Sequence, residues 1–180
     1  FSIPLFSSTL LVTFITHIDN YTIGFFLGSS EISFFSVAMT IIGFSMLIPT
    51  AIMPLFFPEL SNLFYKNKPE KIKQFFWKFI KHLTIIKFVS LVLILIASRS
   101  IIEIIFGPEY LSSHPLIMIL LVGVMFSGYP FSSLILLHKK TRWLFFMPLS
   151  MSLLNLFLNI ILIQKLHLVG VAISTSFIMI

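Results

Sequence analysis

The chain contains no cysteine, and only 10% of its 180 residues are charged. The first absence excludes disulfides, a thiolate nucleophile and every thiolate metal site, and it removes the usual clue to redox compartment. The second excludes an ordinary water-soluble domain, which carries about 25% charged residues. Acids are rarest: six Asp and Glu stand against twelve Lys and Arg, for a formal net charge of +6. No phosphate-cradling Gly-rich loop, nucleophile elbow or dinucleotide fingerprint is present. These lacks argue against an enzyme, against an ATP-driven step within the chain and against a bound cofactor. What is present is apolar: 58% of residues are hydrophobic, and the mean hydropathy is +1.07. In water such a chain would expose adhesive surface everywhere, so a lipid bilayer is the solvent its composition suits.

The few charges are not scattered. Ten of the twelve Lys and Arg residues fall in two gaps between apolar runs. The first group is Lys66, Lys68, Lys71, Lys73, Lys78, Lys81 and Lys87; the second is Lys139, Lys140 and Arg142. This alternation is what the positive-inside bias leaves on a multi-pass helical membrane protein. It predicts that 58–82 and 138–142 are cytoplasmic at the plasma membrane, with Glu31, the Arg99–Ser113 region and Lys165 outside. The basic balance follows topology, and no groove-reading motif accompanies it, so nucleic acid is not the expected partner. The anionic inner leaflet is.

A helix needs roughly 20 apolar residues to cross the hydrocarbon core. Runs of that kind predict an all-α, polytopic transmembrane helix bundle, with spans at about 1–27, 32–57, 83–97, 115–137, 143–163 and a sixth, from 168, that is cut off at 180. The stretch Pro69–His82 is amphipathic, with Ile72, Phe75, Phe76, Phe79 and Ile80 on one face. It is expected to lie in the cytoplasmic interface and bend into the third span. Lys87 is close enough to that end to snorkel. Ile101–Phe106 reads as a short helix stopped at Gly107-Pro108. The chain opens Phe-Ser-Ile-Pro without a basic n-region or cleavage site and ends inside an apolar run. It reads as an internal fragment of a longer membrane protein.

Polar residues inside the spans are the functional candidates, because a charge in hydrocarbon costs at least ~2.5 kcal/mol. Asp19 is the only acid within a predicted span. With Thr13, Thr16, His17 and Asn20 it forms an arc over nearly half of the first helix, which must face partner helices or water. One reading is a hydrated cavity in which Asp19 holds a cation or proton or sets the local charge; the other is a polar contact between helices or a place close to the outer interface, since Asp19 lies well past the middle of the first span. His17 suits a proton relay, or a hydrogen bond to a neighbouring helix. Asn155 and Asn159, one turn apart beside Ser152, suit helix packing or cavity lining. Pro49 and Pro54 are hinge candidates, since each frees a backbone carbonyl. Gly24 and Gly28 match the small-residue dimer spacing. Glu103 and Glu109 are expected as interface acids rather than as a catalytic pair. No His pair has metal-ligand spacing beside a carboxylate, so no metal is expected.

Four stretches carry a resemblance. They are Asp19-Asn-Tyr-Thr-Ile-Gly24 with Gly28 and Ala38; Pro54-Leu-Phe-Phe-Pro-Glu-Leu-Ser61; Ile104-Ile-Phe-Gly-Pro-Glu-Tyr110; and Leu154-Asn-Leu-Phe-Leu-Asn159 followed by Gly170-Val-Ala-Ile-Ser174. In order and spacing, from about Ile15 to Ser176, the chain resembles the polysaccharide transporter branch of the multidrug/oligosaccharidyl-lipid/polysaccharide exporter superfamily, the Wzx-type oligosaccharide flippases. One departure is Ile32-Ser-Phe-Phe35, where the family often has Val-Gly-Tyr. The resemblance implies the beginning and middle of the C-terminal bundle of a two-bundle transporter. It implies a polyprenyl-linked oligosaccharide substrate, alternating access, proton or sodium coupling, and the remaining half of the same protein as partner. Basic substrate contacts are expected in the cavity, though no basic residue reads as mid-membrane here. The alternatives are a cation-coupled multidrug exporter of the same superfamily, a membrane enzyme of surface-glycan assembly, and a structural membrane subunit. The longest outer gap, about Ser98–His114, is short for an enzyme's outer active site.

Overall fold

The structure is a computed structural model that describes residues 17–138 and 141–180. The first sixteen residues, Thr13 and Thr16 among them, lie outside the described residues, as do Lys139 and Lys140. The described residues are helical with short connections, and no strand occurs among them. Helix α1 is Ile18–Phe26, α2 Ser29–Tyr65, α3 Pro69–Ile101, α4 His114–Phe126, α5 Phe131–Leu137 and α6 Thr141–Met179. Four helical stretches among them are long and apolar enough to cross a membrane: Ser29–Tyr65, Pro69–Phe106, Pro108–Leu137 and Phe146–Met179. Helix is the form expected in lipid, where each backbone N–H and C=O must be satisfied within the segment.

Gly28 turns α1 into α2 with φ 99, a conformation open to glycine and costly for other residues. Ile32 packs 3.0 Å from where a Cβ on Gly24 would stand. Both glycines thus contribute to this intrachain turn. Helix α2 runs 37 residues through Pro49, Pro54 and Pro58. Each proline leaves the carbonyl four residues earlier without its usual donor, yet the helix continues. Pro49 is buried against the bundle, whereas Pro54 is exposed.

The basic gap 58–82 is not a loop. Helix α2 extends to Tyr65, turns at Lys66–Lys68, and α3 starts at Pro69. Asn67 takes the left-handed conformation (φ 49), which asparagine tolerates better than most residues. The Lys68 N–H returns to the Leu63 carbonyl and closes the helix end. Proline then stands at the first helical position, where its missing N–H costs nothing. Helix α3 continues unbroken for 33 residues and passes into a π-helical turn, Ile102–Phe106, that stops at Gly107 (φ 102). The amphipathic stretch therefore continues into the third apolar run as one helix, without the expected break between them. Its apolar face, with Phe75, Phe76 and Phe79, packs on Phe56 and Leu60 of α2. The α2 extension supplies a protein partner, so the lipid surface is not needed. At 1.5 Å per residue α2 is about 55 Å long, against a hydrocarbon core of ~30 Å. Both helices of the pair are thus longer than the hydrocarbon core is thick, and their exposed lysines gather at the shared end.

The 3-10 segment Pro108–Ser113 leads into α4. The apolar run 115–137 is broken at Ser127–Pro130, where Ser127 is extended and Gly128 has φ 69. Helix α6 is broken at His167 (φ 50, ψ −134). Ser174 Oγ bonds Asn159 Oδ1 across that break. In a straight helix these residues would lie about 22 Å apart, so the arm 141–166 and the arm 168–179 form an antiparallel hairpin. Gly170 permits it, because a Cβ there would overlap the Leu162 carbonyl. The main core joins α1, α2, α4 and the second arm of α6 through Ile23, Ala38, Ile41, Ile117, Leu120 and Val171. Helix α4 meets the second arm at Gly123, where a Cβ would stand 2.5 Å from the Ser176 carbonyl. Ser176 Oγ donates to the Ile119 carbonyl at 3.0 Å beside it.

Candidate functional site

Three helices bring one carboxylate and four polar side chains together. Asp19 comes from α1, Asn155 and Asn159 from the first arm of α6, and Ser174 and Thr175 from the second. Asn159 Nδ2 donates to Asp19 Oδ1 at 2.7 Å and to Asn155 Oδ1 at 2.6 Å. Thr175 Oγ1 donates to Asp19 Oδ2 at 2.9 Å. Ser174 Oγ lies against Asn159 Oδ1 and also 2.9 Å from the Val171 carbonyl. It has one proton and serves one acceptor at a time. The Asn159 side chain is wholly buried, at 0% exposure, and both N–H groups and its oxygen are engaged.

The helical repeat explains the convergence. Asn155 and Asn159 share a face at i, i+4, and the reversal at His167 swings Ser174 and Thr175 back onto that face. Asp19 therefore meets donors from both arms of one hairpin. The site gathers six side-chain oxygens and a single formal negative charge. Hard oxygen donors of this kind suit a proton or a hard cation rather than a soft metal. No group of three His, Cys, Asp or Glu side chains lies together among the described residues.

Of the residues singled out in the sequence, Asp19, Asn155 and Asn159 are brought together. His17 is not: it is exposed and makes an edge contact with the Tyr21 ring at 6.5 Å. Asn20 is half-buried and is not among the side chains that hydrogen-bond Asp19. Thr16 lies outside the described residues. Pro49 and Pro54 lie on α2, which supplies no side chain to the hydrogen-bonded cluster. Two shallow apolar depressions, one lined by Trp143, Met147 and Leu153 and one by Met118, Val122 and Phe177, do not include Asp19.

Sequence reasoning missed Ser174 and Thr175. The run Ser174-Thr-Ser176 in an apolar helix was the available signal, since hydroxyls of this kind bond across helices. It also misplaced Lys87. That side chain does not snorkel; it is 1% exposed. Its Nζ donates to the Met125 carbonyl at 3.0 Å and to the Ser127 carbonyl, and stands 4.4 Å from the centre of the Tyr129 ring. A basic residue is thus present inside the bundle after all. Among the acids, Glu103 pairs with Arg99 at 3.4 Å on an exposed helix face, where an ion pair contributes little.

The family described as polysaccharide biosynthesis protein matches residues 1–115, more than half of the chain. The chain belongs to this family. It includes Asp19 and all of α1, α2 and α3 within the matched region. Together with the four apolar helical stretches, membership makes this a membrane protein of polysaccharide-related transport. No curated protein and no solved structure matches it.

Proposed function

We propose that the chain is part of a flippase that moves a polyprenyl-linked oligosaccharide from the cytoplasmic to the outer face by alternating access. The observation that carries this reading is Asp19, an acid held by side chains of two other helix arms. An intramembrane acid facing its own bundle is a site by default, not a structural convenience. In this conformation two neutral donors, Asn159 and Thr175, occupy the carboxylate. Rotation of the Asn159 amide by half a turn places Oδ1 where Nδ2 now stands. Ser174, which can accept as well as donate, then meets Nδ2. After that rotation Asp19, Asn155, Asn159 and Thr175 present only oxygens to one another, so that parting α1 slightly from the hairpin admits a sodium ion between them; a proton on Asp19 would answer the same charge. Binding there tightens α1 on the α6 hairpin, and release loosens it, which couples the gradient to movement of the bundle.

Further support comes from discontinuous helices at Ser127–Pro130 and His167, a feature of transporters near their sites. In this proposal a second helix bundle supplies the other wall of the pathway. The proposed site of action is the plasma membrane, with 58–82 and 138–142 in the cytoplasm. Asp19→Asn in the full-length protein tests the coupling. Gradient-driven accumulation of glycan on the outer face should fall at least about tenfold, while exchange without a gradient persists. Normal gradient-driven transport by the variant would remove Asp19 from the mechanism. Orientation is tested with cysteines at Lys68 and Glu31, which should label from opposite sides; labelling of both from one side would end the proposed topology.

A further inference from the structure

The break between α4 and α5 interrupts an apolar stretch of membrane-crossing length and leaves backbone carbonyls there without helical donors, which in lipid costs several kcal/mol each if left unmet. Lys87 meets two of them, Met125 and Ser127. The only ion pair among the described residues is Arg99–Glu103, so the Lys87 ammonium has no carboxylate partner there. It is balanced by dipoles: the two carbonyls, the negative end of α4 and the face of Tyr129. Thr84, one turn earlier on α3, adds a second hold through a 2.9 Å hydrogen bond to the Tyr129 hydroxyl, which also donates to the Met125 carbonyl at 3.4 Å.

What lies beyond the break is weakly held. Helix α5 has seven residues, none of them buried. Leu134 and Leu137 lean on the Phe56, Leu60 and Phe76 cluster, and Phe131 meets Phe76 and Tyr129. At its root Gly128 has positive φ, and a Cβ there would have only the Met46 methyl as a near neighbour, at 3.9 Å. The pivot has room. A purely structural solution would close the break with a continuous apolar helix, since replacing buried polar groups by apolar ones is often neutral or stabilising. A buried ammonium on a breakable set of dipoles serves a segment that has two positions.

We propose that Lys87 is a positioning residue of the transport cycle: it tethers the Ser127–Pro130 break to α3, and its release lets α5 swing on Gly128 away from α2 and α3. The proposal rests on the transport reading above for its cycle, but not for the tether itself. These 180 residues contain no cysteine, so the introduced pair is the only thiol pair within them; any cysteine elsewhere in the full-length protein is first replaced by serine. Phe64 on α2 and His138 at the end of α5 have ring centres 5.5 Å apart. The full-length protein carrying Phe64→Cys and His138→Cys is linked in its own membrane with a short, reducible bifunctional methanethiosulfonate. Linking should stop glycan transport, and reduction should restore it. Lys87→Met in the same background should lower the linking yield about tenfold, the scale of losing a charged hydrogen bond, at an unchanged amount of membrane-inserted protein. If Lys87→Met does not reach the membrane, Lys87→Gln is held to the same yield. A linked protein that transports at the unlinked rate overturns the swing; wild-type linking yield without the ammonium overturns the tether. Absence of any transport by the reduced pair would instead count against the flippase reading, with the linking yield still reporting the tether.

Discussion

Replacing Asn159 by leucine removes the polar groups on which the three-helix cluster depends while keeping the branched shape of the side chain. Three hydrogen bonds disappear: to Asp19, to Asn155 and from Ser174. They are not equal. The Asn155 bond lies within one helix, where such pairs contribute about 0.2–0.5 kcal/mol. The other two join separate elements. Interhelical hydrogen bonds in membrane proteins average about 0.6 kcal/mol and reach about 1.7. The Asp19 bond belongs at the upper end, because its acceptor is the only acid in the cluster and leucine leaves one carboxylate oxygen without its donor. Leucine regains little by burial, since lipid is as apolar as the bundle interior. The expected loss is about 2–3 kcal/mol. Reversible unfolding by SDS titration in mixed micelles, followed by far-ultraviolet circular dichroism, measures it. Asn155→Leu is the internal control and should cost less, because its bond to Asn159 lies within one helix arm and Asn159 keeps its own bonds to Asp19 and Ser174. A loss below about 0.5 kcal/mol for Asn159→Leu would refute the argument that this cluster ties α1 to the α6 hairpin.

Gly123→Ala should destabilise the same unfolding transition by about 1–3 kcal/mol, because the new methyl meets Ser176 backbone atoms at 2.5 and 2.7 Å; a neutral result would show that the two helices separate freely. Pro49→Ala restores a donor for the Ser45 carbonyl. It should leave stability unchanged or higher and slow transport several-fold if α2 bends there; unaltered transport would remove Pro49 as a hinge.

The sequence made Asp19, Asn155 and Asn159 visible because polar groups in an apolar helix need partners, and the partners available are each other. Periodicity placed both asparagines on one face. Ser174 and Thr175 were harder to see, since hydroxyls sit comfortably in membrane helices by bonding their own backbone, as Thr22 does to Ile18 and Ser90 to Ile86. Lys87 was hidden by its company. It follows six lysines that do face water, and its acceptors lie about forty residues later at a break written by Gly128 and Pro130. Local pattern cannot join the two. The stretch 58–82 reads as a gap by charge, yet its apolar positions also keep a helical period. Only the neighbouring helix decides that period is used for an upright pair rather than a surface-lying segment.

The hairpin of α6 reverses within a single residue, His167, although Gln164-Lys-Leu-His167 has the polarity of a loop. The two arms consequently share an end with almost no slack. A protease reaching that side would find no extended stretch to draw into its cleft. A tag inserted there would have to pull Ser174 off Asn159 to be accommodated. The place where the chain looks most forgiving of insertion is therefore among the least.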